Sequence, residues 1–311
     1  MSILLFSVLF SSVTLKAENK ALQGNLTLSG AWAMYPTVVA WAEAFQKIHP
    51  KVHIDISAGG AGKGAADALA GFVDIGMVSR DPDPSELQKD IKAIYVLKDA
   101  VFPIVNEKNF YISTLLKRGL SKRNFQDIYV TGTQIYWDLD YFSVVTHKPK
   151  MIHHYTRSDA SGAAASWARY LGVQQEDLMG IGIYGDPGIL EAVLRDPLGI
   201  GYANFSFVFN RQGTVIPGIK LIPIDANENG IADPEEIYQN RDEANRAIEK
   251  GSYPVVRRNY FFIKKDVGDV VKEFIRFTLS EEGTRIVHET AANLPLTKTE
   301  RAKILESLEH E

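Results

Sequence analysis

Twice within the first 65 residues a short alternating apolar run stops at a glycine-containing turn and opens into a helix-periodic stretch. That pattern constrains the fold more than any other feature of the chain. "NLTLSG" puts Leu26 and Leu28 on one face and ends at Gly30. Pro36 then suits a first helical turn, and Val38, Trp41, Ala42, Phe45 and Ile48 recur at helical spacing. "KVHIDIS" alternates Val52, Ile54 and Ile56, then runs into "AGGAGKGAADALAGF", a glycine-rich turn opening a helix of small residues. "FVDIGMVSR", with Val73, Ile75 and Met77, is the next strand. Strands separated by helices predict an α/β protein with a largely parallel sheet. Ligands of such sheets lie beyond the carboxyl ends of the strands, where turns lead into helices.

A third turn of this kind lies in "RSDASGAAASWARYL", Arg157 to Leu171. Ser161 or Gly162 is the N-cap of a helix whose apolar face holds Trp167 and Leu171. The first N–H groups of a helix lack internal partners and carry the positive end of its dipole. With Arg157 beside them, that arrangement suits an anion; an ordinary capped helix with a surface Arg–Asp pair is the plainer reading. If the turns at 29–35, 58–64 and 158–163 converge, they form an oxyanion site built mainly from amides. The second turn is not a nucleotide-hydrolysing loop. That motif needs glycine five positions before Gly62, where Ser57 stands, and Ser or Thr after Lys63, where Gly64 stands. No dinucleotide fingerprint replaces it.

Composition narrows the classes further. The 311 residues suffice for two lobes or one large α/β domain. A net charge of -4 without a basic stripe argues against a nucleic-acid binder. The absence of cysteine excludes disulfides, thiolate metal sites, cysteine nucleophiles and an acylated N-terminal cysteine. At the N-terminus, "MSILLFSVLFSSVTLKAENK" carries an apolar run from Ile3 to Val13, too short to span a bilayer. Residues 1–17 read as a signal segment cleaved near Ala17, although no Lys or Arg precedes the run; a buried N-terminal strand or helix is the competing reading. The mature protein is therefore expected in the periplasm, soluble and unanchored.

In order, "LSGAWAMYPTVVAWAEAF", "GGAGKGAADALAGFVDIGMVSR", "YTRSDASGAA", "GDPGILEAVLRDPLGIGYANF", "SYPVVRRNYFFIKK" and "FIRFTLSEEGTRIV" span nearly the whole mature chain. In this order of segments the chain resembles the phosphate-binding components of phosphate ABC transporters. The resemblance implies a two-lobed periplasmic-binding-protein fold of type II, each lobe a mixed sheet flanked by helices, with two chain crossovers. One lobe would comprise residues 22–99 plus 254–311, the other 100–253. It implies capture of an inorganic oxyanion, phosphate first, for delivery to ABC permease subunits by a monomer, with no enzymatic activity and no cofactor for activity. Carried over by position, Ala33, Met34, Ala61 and Arg80 would face Arg157, Ser161, Gly162 and Ala163 across the cleft, with Asp159 orienting Arg157. The departures are systematic. Where the family commonly has Ser or Thr, this chain has Ala31, Trp32, Ala33, Ala61 and Ala163, and only Ser161 keeps a hydroxyl. Arg80 stands where some members place a carboxylate and others arginine, and Lys63 adds a cation. Such a site suits a fully ionised oxyanion, a larger anion or phosphate at altered affinity. A sensory or interaction protein with a degenerate cleft is the alternative, and a calcium-assisted phosphohydrolase a more distant one.

"IDANENGIADPEE" is the strongest metal motif. Asp225, Asn227, Asn229, Ile231, Asp233 and Glu236 occupy positions 1, 3, 5, 7, 9 and 12 of an EF-hand loop, with Gly230 at the turn position. A structural calcium ion is expected there, against the plainer reading of a solvated acidic loop. His153 and His154 are adjacent on a strand, face opposite sides and are not expected to share a ligand. Tyr202, Phe205, Phe207, Tyr260, Phe261 and Phe262 suit strand cores or lobe-crossing segments; Trp32, in a ligand-contacting turn, is a candidate to line the cleft.

Overall fold

The computed structural model describes residues 21–137 and 150–309; the expected signal segment lies outside them. Eleven strands are found in this range: β1 Gln23–Gly30, β2 Lys51–Ala58, β3 Ile75–Val78, β4 Lys92–Asn106, β5 Leu120–Ser121, β6 His153–Arg157, β7 Ile181–Ile183, β8 Gly199–Asn204, β9 Ile219–Leu221, β10 Ile224–Asp225 and β11 Val256–Ile263. The α-helices are α1 Tyr35–Ile48, α2 Ala61–Ala70, α3 Pro84–Leu87, α4 Ile112–Arg118, α5 Lys122–Tyr129, α6 Gly162–Leu171, α7 Gly185–Arg195, α8 Phe205–Val208, α9 Arg241–Lys250, α10 Asp269–Leu279, α11 Glu281–Thr290 and α12 Lys298–Glu309.

One sheet runs β2-β1-β3-β11-β4-β8-β6-β7, with β9 also pairing to β4, and β5 pairs with β10 apart from it. Its two flanks are parallel: β1 with β2 and β3, and β6 with β7 and β8. Its centre is antiparallel, because β11 runs against β3 and β4, and β4 against β8 and β9. The largely parallel sheet expected from strand–helix alternation is thus correct only at the flanks. Long return segments enter the centre and reverse the direction there.

Two apolar cores lie along this sheet. The first gathers Leu26, Trp41, Phe45, Met77, Ile94 and Leu97 with Phe261, Phe262 and Phe274. Trp41 meets Phe261 edge-on at 6.2 Å, and Phe45 meets Phe274 at 5.3 Å. The second gathers Phe102, Phe125, Tyr129, Trp167, Tyr202 and Phe205. Burying each such aromatic contributes about 1.5–3 kcal/mol. β4 serves both: Leu97 belongs to the first core and Ala100 to the second. Ile48, expected on the core face of α1, is instead 57% exposed at the helix end.

Small residues set the position of the second turn. A Cβ on Gly30 would lie 2.8 Å from the Cα of Gly64, and a Cβ on Gly64 would lie 2.9 Å from the Ser29 carbonyl oxygen. The N-terminal half of α2 therefore rests directly on the backbone of β1. Gly64 is glycine because no side chain fits between helix and strand at that point.

Candidate functional site

Arg157 ends β6, and its side chain is only 1% exposed. Nε and Nη2 donate to the two carboxylate oxygens of Asp159 at 2.7 and 2.6 Å, and Nη1 donates to Asp186 Oδ2 at 2.5 Å. The surface Arg–Asp pair of the plainer reading is therefore a buried one with a second carboxylate attached. Burial alone would pull the arginine's pKa down, but attraction to Asp186 and bonding to Asp159 outweigh it and push it up. Three of the five guanidinium N–H groups are committed to these bonds, leaving two. Asp186, fully buried near the start of α7, also accepts from the Asn204 amide at 3.0 Å. Reading the sequence missed it. The signal was an aspartate in the first turn of the helix in "GDPGIL".

Ser161 is the N-cap of α6, its Oγ accepting from the amides of Ala163 at 3.1 Å and Ala164 at 3.3 Å; Gly162 is the first helical residue. Across from it lies the N-terminal end of α2, capped by Gly60. The Gly62 amide donates to the Ala160 carbonyl at 2.9 Å. A Cβ on Gly60 would lie 2.7 Å from Asp159 Oδ2, and one on Gly162 would press into Ser79, 2.8 Å from its carbonyl carbon. The turns at 58–64 and 158–163 thus meet backbone to backbone. At the rim, Arg169 Nη1 pairs with Asp81 Oδ2 at 2.6 Å, and Tyr260 OH donates to Asp81 Oδ1 at 3.1 Å. The first turn reaches the same cleft through Trp32, which stands edge-on to Tyr184 at 6.0 Å and against Gly185. Its buried Nε1 has no hydrogen-bond partner among the described residues.

The expected donors divide into two groups. The amides of Ala33, Ala61 and Gly162 have no protein acceptor among the described residues. Those of Met34 and Ala163 are engaged, by the Ala31 carbonyl and by Ser161 Oγ. Arg80, just beyond β3, is gripped by its own side of the cleft. Nη1 and Nη2 donate to the Glu86 carboxylate at 2.9 and 2.7 Å, and Nη1 also to the Asp81 carbonyl at 3.1 Å. Hydrogen bonding to Glu86 raises its pKa against the effect of burial. Lys63 bonds to Asp67 on the same helix.

The other candidates lie elsewhere. His153 Nδ1 bonds to Asp196 Oδ2 at 2.7 Å, whereas His154 packs against Tyr129, where burial lowers its pKa. In the 225–236 loop the acidic groups turn inward. Asp225 accepts from the amides of Asn229 and Gly230, Asp233 from the carboxamides of Asn227 and Asn229, and Glu236 from the amides of Ala226 and Asp233. The Asn229 carboxamide oxygen accepts from the Ile231 amide at 2.8 Å. Among the described residues no three His, Cys, Asp or Glu side chains are grouped as a metal site.

Two cores on one sheet, joined by β4 and β11 and meeting at helix N-termini around a buried arginine, define a two-lobed solute-binding protein. The chain belongs to the PBP superfamily, whose domain model matches residues 16–282. It is 27% identical over 290 residues to the phosphate-binding protein PstS of Bacillus subtilis, covering 92% of this chain and 85% of the relative. With the PstS of Staphylococcus haemolyticus it shares 25% identity over 283 residues, 88% of this chain and 82% of that protein. Among solved structures it is similar to a phosphate ABC transporter substrate-binding protein of Clostridium perfringens with bound phosphate. The TM-score is 0.72 at 25% identity, covering 88% of this chain and 100% of the other. A phosphate transport receptor of Vibrio cholerae shares the fold at a TM-score of 0.63 and 19% identity, over 88% and 100% of the two chains.

Proposed function

We propose that this chain captures an inorganic oxyanion, phosphate foremost, between its two lobes and delivers it to the permease of an ABC transporter from the periplasm. Relatives that cover nearly the whole chain are phosphate-binding proteins, which supports binding rather than turnover as its task. Among the described residues no helix is long and apolar enough to cross a membrane.

One observation carries the reading most: a buried arginine with two uncommitted N–H groups, set beside two opposed helix N-termini whose first amides lack acceptors among the described residues. Ala33, Ala61 and Gly162 would supply amides, and Arg157 the charge. Asp159 and Asp186 fix the guanidinium through three of its donors, so the remaining two are held in place before an anion arrives. The missing hydroxyls shift the load onto amides and arginine, each hydrogen bond to the charged ligand contributing about 1.5–3 kcal/mol. Arg80 keeps its Nε–H and one Nη2–H outside its bonds to Glu86 and the Asp81 carbonyl, and would join the anion through these.

Calorimetric titration of phosphate, sulfate, molybdate and tungstate tests this. The wild type is expected to bind phosphate, and Arg157→Ala to lose most of that affinity. Arg80→Ala measures whether Arg80 takes part. Equal binding by the wild type and Arg157→Ala would refute the site, and no binding of any anion would favour a sensory or interaction role.

A further inference from the structure

We propose that Arg257 is a positioning residue for the anion site, holding Arg157 in place from the strands that join the two lobes. The inference rests on the reading of Arg157 as an anion ligand.

Between the two cores the chain is polar. On β4 the passage lies between Leu97 and Ala100, and on the return it lies between Val255 and Tyr260. Asp99 and Arg257 stand opposite each other in the β4–β11 register, both side chains fully buried, and Asn259 is buried beside them. Arg257 donates through Nε and Nη2 to Asp99 Oδ2 at 3.1 and 2.5 Å, and through Nη2 to Asn204 Oδ1. Asn204 ends β8, and its amide donates to Asp186 Oδ1, while Asp186 Oδ2 receives Arg157 Nη1. An unbroken run of bonds therefore leads from the crossover strands to the guanidinium in the cleft. Every side chain along it is at most 5% exposed.

Low local dielectric strengthens each link of such a run. Burial pushes the Asp99 carboxyl up despite Arg257, and the charge on Asp186 adds to the push. Stability alone does not account for it. A buried ion pair is commonly no better than well-packed apolar residues. This one also leaves Arg257 Nη1, Asp99 Oδ1 and both polar atoms of the Asn259 side chain without protein partners among the described residues. What the pair does provide is a fixed anchor for Asn204, and through it for Asp186 and Arg157.

Two variants of the full mature chain test this. Asn204→Ala cuts the side-chain link while keeping the amide that serves Asp186. Asp99→Asn with Arg257→Gln removes both charges together, so that neither is left buried alone. The first readout needs no ligand: hydrogen exchange of the Arg157 Nε–H, followed by NMR on arginine-labelled protein. The second is the Kd for inorganic phosphate by calorimetry. Each variant is expected to speed exchange at least tenfold and to weaken phosphate binding at least tenfold. Their combination should bind no more weakly than the worse of the two, because both cut one run. Unmoved exchange overturns the proposal whatever the titration gives. Faster exchange with unchanged Kd overturns the positioning role. A wild type that binds no phosphate overturns the anion reading alone, and the exchange arm still decides the linkage.

Discussion

Gly162→Ala separates folding from closure. Gly162 is the first residue of α6, its φ is not in the left-handed region, and alanine is a better helix former by up to about 1 kcal/mol. Folding should be unharmed or slightly improved. The added methyl, however, would meet the facing lobe. The Ser79 carbonyl carbon would lie 2.8 Å away, with the carbonyl oxygen and Oγ closer still. Ordinary contact between carbons is about 3.5–4.0 Å, so relief needs roughly 1 Å of lobe separation, because backbone cannot rotate aside as a side chain can. A 1 Å retreat stretches the Gly62–Ala160 bond beyond its range and moves the amides of one helix away from an anion held by the other. Loss of two bonds to a charged ligand at about 1.5 kcal/mol each comes to about 3 kcal/mol, somewhat over a hundredfold in Kd. Phosphate titration by calorimetry, with urea unfolding alongside, measures both effects. Gly268→Ala, where nothing lies within 4 Å of the new Cβ, is the control. Phosphate affinity within threefold of wild type in Gly162→Ala would refute the backbone-to-backbone closure.

Arg169→Ala removes a rim pair that is about half exposed on both sides, so phosphate affinity should fall by less than about 1 kcal/mol, and less at high salt; a tenfold loss in calorimetry would show the rim to be a true latch. For Glu86, burial alone would raise the pKa, but hydrogen bonds from Arg80 and the Asp83 amide hold it below the usual range. A depressed carboxyl contributes stability above its ordinary pKa of about 4.3 and loses it as pH falls through the folded value. Glu86→Gln should therefore show a shallower loss of stability than wild type as pH falls from about 5 to 3 in urea titrations; equal slopes would deny the Arg80–Glu86 pair that role. Calcium should raise the Tm by linkage through the 225–236 loop, and Asp225→Ala with Glu236→Ala should abolish the increment; identical wild-type melting in chelator and calcium would leave only an inward-bonded acidic loop.

The flanks of this sheet were legible because local periodicity writes them. "NLTLSG" and "KVHIDIS" alternate, and β1 and β2 pair in parallel as strand–helix–strand units do. The N-cap at Ser161 was legible to within one residue for the same reason: capping is local chemistry. The antiparallel centre was not. The place of β11 between β3 and β4 depends on partners more than 150 residues away, and no local period encodes it. At the site, Arg157 and Asp159 are sequence neighbours and could be paired by eye, whereas Asp186 meets them only through the return of α7 to β6. Arg80 was legible as a position but not as a conformation, since its carboxylate partner lies six residues on in a short helix that carried no anion signal.

The place of β11 also sets an order in time. The second core draws almost wholly on residues 100–255, in one continuous stretch, and can close as soon as those residues are available. The first cannot, because the strand that fills the gap between β3 and β4 follows the end of β4 by about 150 residues. A chain emerging N-terminus first at about 5–20 residues per second would wait on the order of ten seconds with both strand edges unpaired. During that interval Trp41, Phe45 and Met77 have no Phe261 or Phe274 to cover them. The half of the molecule made first is thus the half finished last, its core open until Ile263 has been delivered.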